Sequence, residues 1–95
     1  MFIATSIVQI STEECNSLKE KRSVIKGIIE SVHAKFKISV SEIADNDKWH
    51  KGVLGLAVVT NEKRFSEEVM SNVISFIERR FPGRISDYDL EIYSR

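Results

Sequence analysis

Ser17-Leu18-Lys19-Glu20-Lys21-Arg22 opens the first helix, and the fold is read outward from it. Ser17 is placed to act as N-cap, accepting from a free backbone N–H of the first turn. Glu20, three residues on, can reach back to the Ser17 amide and complete a capping box. Downstream, Leu18, Ile25, Ile28, Ile29, Val32 and Phe36 recur at spacings of three, four and seven, as one buried helix face requires. The helix therefore runs to about Phe36. On one flank of it Lys19, Arg22, Lys26, His33 and Lys37 form a basic stripe.

Before this helix, residues 2–11 are rich in β-branched side chains and too irregular for a second one. Phe2, Ala4, Ser6, Val8 and Ile10 share one face, and Ile3, Thr5, Ile7 and Gln9 the other. Neither face is polar, which predicts a central strand. After the helix, residues 37–44 predict a strand with Ile38 and Val40 opposite Ser39, Ser41 and Ile43. A polar, turn-forming run, Asp45 to His50, carries the lone tryptophan, Trp49. Residues 52–60 are the most apolar stretch, as expected of a strand covered on both sides. Thr60 or Asn61 is suited to cap a second helix with Phe65, Val69, Val73, Phe76 and Ile77 inward and Met70 and Ile74 beside them. Pro82 and Gly83 end it. Residues 85–93 alternate as one last strand, Ser86, Tyr88, Leu90 and Ile92 against Asp87, Asp89, Glu91 and Tyr93.

Strand, helix, strand, strand, helix, strand in a chain of 95 residues predicts one domain, 1–95, with the α+β ferredoxin-like split βαβ fold. In this βαββαβ arrangement a four-stranded antiparallel sheet carries both helices on one face. Right-handed crossovers put the first and third strands in the centre. One core should then hold Val8, Ile25, Ile29, Val32, Phe76, Leu90 and Tyr88. The helix-free face should be apolar at its middle, with Tyr93 and the acids Asp87, Asp89 and Glu91 at its edge. The alternation leaves open which set of each central strand faces away from the helices. Ile3, Ile7 and Tyr93 are the residues assigned to a self-association surface on that face.

Fourteen basic and fourteen acidic residues cancel, so any nucleic-acid binding must come from a local patch. No apolar run approaches a membrane span, and residues 1–4 lack the basic start of a signal peptide. A single cysteine excludes an internal disulfide. These features predict a cytoplasmic protein without a membrane partner.

The hexapeptide at 17–22, the segment Ser39-Val40-Ser41-Glu42-Ile43-Ala44-Asp45-Asn46-Asp47-Lys48-Trp49, and the run through Val53-Leu54-Gly55 to Thr60-Asn61 resemble the YlxP-like family of small bacterial proteins. The likeness extends over nearly the whole chain. It implies a ferredoxin-like fold, a cytoplasmic setting and no established activity. Genes of that family often neighbour those for translation initiation and ribosome maturation, which points toward RNA. The resemblance carries no catalytic residues to transfer. The acidic Glu13-Glu14-Cys15-Asn16 departs from its pattern and opposes anion binding in that loop.

No enzyme constellation is present. The loop after the first strand lacks the glycine and arginine of an acylphosphatase-like cradle and the second cysteine of a metallochaperone. Cys15 reads as an inert loop thiol. His33 and His50 have no ligand spacing, and Asp45-x-Asp47 lacks the glycine and closing glutamate of a calcium loop. No cofactor or metal is expected. The central strands also lack the stacking aromatics of an RNA-recognition motif.

What remains is the basic stripe and the tryptophan loop. Lys19, Arg22 and Lys26, extended by Lys48, His50 and Lys51 around Trp49, could hold phosphates while the indole stacks on an unpaired base. The plainer alternative is a solvated flank, with Lys26 paired to Glu30 and Trp49 capping the edge of the core. The first function expected is non-enzymatic association with RNA or ribosomal particles. The alternative is a homodimeric protein-contact or small-ligand module using the apolar sheet face.

Overall fold

The computed structural model describes residues 1–95. Strand β1 (Phe2–Ser11) leads to helix α1 (Leu18–Phe36), then β2 (Ser39–Ala44), β3 (Lys51–Thr60), helix α2 (Lys63–Arg80), β4 (Ile85–Tyr88) and β5 (Glu91–Ser94). The sheet order is β2-β3-β1-β4, with β5 also pairing β1, and the ladders are antiparallel. Both central strands are the apolar ones, as the sequence requires.

Register settles which set of side chains faces the helices. Ala4, Ser6, Val8 and Ile10 are buried beneath them, and Leu54 and Leu56 stand opposite Val8 and Ser6. Ile28 and Val32 of α1 and Met70, Val73 and Ile77 of α2 close over this layer. Phe36 and Phe76 join the rim of the core edge-to-face, 5.5 Å between ring centres. Ile3, Thr5 and Ile7 point to the helix-free side, beside Val59, Ala57 and Gly55 of β3.

Several expectations need correction. The last strand is two, because Asp89 and Leu90 leave the ladder. At the break the Asp89 carboxylate accepts from the Ile7 amide at 2.7 Å, and its carbonyl accepts from the Ser6 hydroxyl at 2.6 Å. A side chain thus supplies the acceptor that the interrupted strand lacks. Leu90 is therefore outside the core at 41% exposure, and Tyr88 is half exposed beside α2 rather than buried. Ile29 only flanks the core. Helix α2 is rotated from the expected face: Ser66 is buried and Phe65 is exposed. Glu62 is its N-cap residue without a side-chain cap, while the Thr60 and Ser66 hydroxyls bond each other. Lys37 does not begin β2; it closes α1 in the left-handed conformation, with φ 56°.

The predicted capping box is present. Glu20 N donates to Ser17 Oγ at 3.1 Å, while the Glu20 carboxylate accepts from Asn16 N at 2.8 Å, one residue before the expected amide. No helix is long and apolar enough to cross a membrane.

Candidate functional site: an anchored tryptophan loop

The buried stripe of α1 contains one residue that the apolar pattern passes over. Lys21 falls between Leu18 and Ile25 at helical spacing, and its side chain is wholly buried. An ammonium taken out of water needs a counter-charge and acceptors for its protons. Lys21 Nζ finds Glu42 Oε2 at 2.6 Å, the Asp45 carbonyl at 2.9 Å and the Asn46 carbonyl at 3.4 Å. Gly52 makes room for this cluster: a Cβ there would stand 2.9 Å from Ile25 Cδ1, 3.2 Å from Glu42 Oε2 and 3.3 Å from Lys21 Cε.

Lys21 thereby fixes the entry of the β2–β3 loop. Thr12, also fully buried, fixes its exit: its hydroxyl donates to the Trp49 carbonyl at 2.7 Å and its amide to the His50 carbonyl at 2.9 Å. Within the loop Asp45 adopts φ 60° and its carbonyl also accepts from Lys48 N at 3.0 Å. With four of its carbonyls engaged from below, the loop turns its side chains to solvent. Trp49 is 47% exposed and tilts against His50, with ring centres 5.6 Å apart. It does not cap the core.

The basic residues divide into two groups. Lys48 and Lys51 both pair with the Asp45 carboxylate, at 3.4 and 3.5 Å. Desolvation pushes the Asp45 carboxyl up, but the hydrogen bond and charge of Lys48, joined by Lys51, outweigh it and hold that carboxyl below its ordinary value. These two lysines are therefore already partly neutralised. Lys19 and Arg22 are exposed on the helical turn that carries Lys21, and neither forms an ion pair. Lys26, further along, is exposed and pairs loosely with Glu30 at 3.8 Å. The stripe lies about 100–160° round the helix from Lys21. His33, in the same row, lies 3.2 Å from the carbonyl of Ile38, just before β2. Lys19 and Arg22 thus share the end of α1 whose Lys21 reaches the Trp49 loop, whereas Lys26 lies further down the helix.

Ile3, Ile7 and Tyr93 do share the helix-free face. Ile7, Ile43 and Tyr93 stand up from it around a floor of Thr5, Gly55 and Ala57, bounding a shallow cleft of about 520 Å³, and Val59 is exposed on the same face beside Ile3. Ile43 leans over Gly55, where a Cβ would meet it at 2.9 Å. The expected acidic edge is partly occupied: Asp89 is spent on the strand break and Glu91 accepts from the Tyr93 hydroxyl. Cys15 is buried; desolvation, then the Glu14 charge, raises its thiol pKa. No three His, Cys, Asp or Glu side chains converge as metal ligands would.

Sequence reasoning missed Lys21 and Thr12. A lysine inside the apolar stripe of α1 was the available signal for the first. Nothing local marked the second.

Comparison with known proteins agrees with the fold. The family model described as "Protein of unknown function (DUF503)" matches residues 3–90. The protein called uncharacterized protein YlxP in Bacillus subtilis (strain 168) is 38% identical over 65 residues, 68% of this chain and 71% of that one. A de novo designed protein with a ferredoxin fold superposes with TM-score 0.55 at 11% identity, covering all of this chain and 85% of the other. A second design, Foldit4, gives 0.56 at 13%, covering 100% and 99%.

Proposed function

Because this chain belongs to the DUF503 family, whose function is unknown, we propose from its geometry that it associates with single-stranded RNA or ribosomal particles through the Trp49 loop and the first turns of α1. The observation that carries this reading is a half-exposed tryptophan on a loop whose backbone is pinned at both ends, one anchor coming from the helical turn that also carries unpaired Lys19 and Arg22. An indole held in water exposes apolar surface that a stacked base would cover, worth about 1–3 kcal/mol. Phosphates alongside would meet Lys19, Arg22 and Lys26, while Lys48 and Lys51 contribute less because Asp45 shares them. With about three phosphates contacted, log affinity should fall against log salt with a slope near ~−2. No chemical step is part of this reading.

The test is fluorescence anisotropy of a labelled single-stranded RNA of about a dozen nucleotides, at low and moderate salt. Lys19→Glu with Lys26→Glu should abolish binding and leave the melting temperature nearly unchanged, since both side chains are exposed. Trp49→Ala should weaken it about 5- to 150-fold. Binding untouched by the charge reversal, or absent at low salt, ends the proposal.

The exposed row Ile7, Ile43, Val59 and Tyr93 favours a second reading, a homodimer closed through the helix-free sheet face. Four strands at about 4.8 Å spacing and six residues at ~3.3 Å rise give a face of roughly 400 Å² in outline. Two such faces, with their side-chain relief, approach the ~1,200 Å² at which specific interfaces begin. Sedimentation at micromolar concentration should give a dimer that Ile7→Glu dissociates. A monomer throughout retires this reading.

A further inference from the structure

We infer that buried Lys21, charge-balanced by Glu42, and buried Thr12 are positioning residues that pre-organise the Trp49 loop for its ligand. The inference rests on the RNA-binding reading for the identity of that ligand, but the ordering of the loop can be measured without it.

A six-residue connection of Asp45 to His50 has few apolar side chains to hold it, and its one large ring is half in solvent. Left alone, it would sample many conformations, and a ligand would have to select the competent one. Apparent affinity falls in proportion to the fraction of the loop in that state. Here the fraction is raised from beneath. Lys21 Nζ reaches two consecutive carbonyls at the loop entry, Asp45 at 2.9 Å and Asn46 at 3.4 Å. Thr12 engages two consecutive carbonyls at the exit, Trp49 through its hydroxyl at 2.7 Å and His50 through its amide at 2.9 Å. The anchors come from different elements, α1 and the end of β1, so the loop is referenced to the core rather than to its own strands.

Electrostatics separates this role from phosphate binding. Lys21 is fully buried and its charge is met by Glu42 at 2.6 Å, so it adds almost nothing to the field outside. Its removal should reach a ligand only through the loop. The absent Cβ at Gly52 is consistent with a site shaped around the pair, because Ala there would press on both Lys21 and Glu42.

The experiment uses Trp49, the only tryptophan, as its own probe. Lys21→Met with Glu42→Leu replaces both charges of the pair by apolar side chains of similar size and should keep the cooperative melt. Thr12→Val removes the exit hydroxyl alone. In each, Trp49 anisotropy should fall and acrylamide quenching should rise, while far-ultraviolet circular dichroism is retained. RNA affinity should drop about tenfold if the loop becomes competent only about a tenth of the time. Trp49→Ala added to the double variant should then cost less than it does alone. Wild-type Trp49 fluorescence and circular dichroism should also lose their signals together in urea, a check that needs no variant. Folded variants with unchanged Trp49 quenching, a fully additive cycle, or a Trp49 transition that precedes global unfolding would each overturn the inference. If wild-type protein binds no RNA while the Trp49 signals respond as stated, the RNA reading falls and the positioning role stands.

Discussion

Replacing Lys21 by Met removes an ammonium whose side chain has no contact with solvent. Three hydrogen bonds go with it, to Glu42 at 2.6 Å, Asp45 O at 2.9 Å and Asn46 O at 3.4 Å. Breaking a buried pair from one side costs about 3–5 kcal/mol, because the other charge is left without a partner. Glu42 retains 15% of its side-chain exposure, so water can reach it and the lower end, near ~3 kcal/mol, is expected. A domain of this size has a stability of about 5–14 kcal/mol, so the loss is a large share. It corresponds to a melting temperature lower by about 12–24 °C. Lys21→Met with Glu42→Leu should recover most of it, since two apolar side chains replace two charges that were costly to desolvate. Urea titrations followed by circular dichroism measure both. A single variant within about 0.5 kcal/mol of wild type, or a double variant no better than the single, would refute the role assigned to the ion pair.

Ile28→Ala should cost about 2–5 kcal/mol because Ile28 is wholly buried, and Ile29→Ala should cost clearly less because that side chain only flanks the core. The reverse order in guanidinium titrations would mean that α1 is rotated. Asp45 has a folded-state pKa below its ordinary 3.8, so its contribution is complete above that value and is lost as pH falls through the depressed one. Trp49 fluorescence should accordingly show an acid transition below pH 3.8 that Asp45→Asn lacks. Asn tolerates the left-handed backbone at that position, φ 60°, so the loop shape is kept. Equal acid titrations in the two proteins would remove Asp45 from the loop's charge balance. Cys15, buried and with its thiol pKa raised above 9.0, should react with a disulfide reagent at pH 8 far more slowly than a free thiol. A rate matching the free thiol would show that the loop opens readily.

The element order, the central pair of strands and the start of α1 were legible because they are set locally. Alternation in β1 and β3, helical spacing from Leu18 to Phe36 and the Ser17–Glu20 capping box each depend on neighbours a few residues away. Reading failed where a distant partner decided. The alternation from Ile85 to Tyr93 is regular, yet the Asp89 carboxylate takes over an acceptor position for Ile7 and breaks the strand in two. Phe65 is expected inward, yet Ser66 takes that place in line with Met70, Val73 and Ile77, its hydroxyl meeting that of Thr60 from the end of β3.

For the candidate site, the sequence by itself determined the parts: a basic row on α1, a polar turn, and one tryptophan within it. Only the tertiary structure decided how they are used. It sets Lys48 and Lys51 on Asp45, leaves Lys19 and Arg22 unpaired, and turns Trp49 outward over a loop held by Lys21 and Thr12. Lys21 lies 24 residues from Asp45, and Thr12 lies 37 from Trp49. Periodicity records which side of its own element a residue occupies. It carries no record of the group that a buried ammonium or hydroxyl must find across the core, where desolvation makes that partner obligatory.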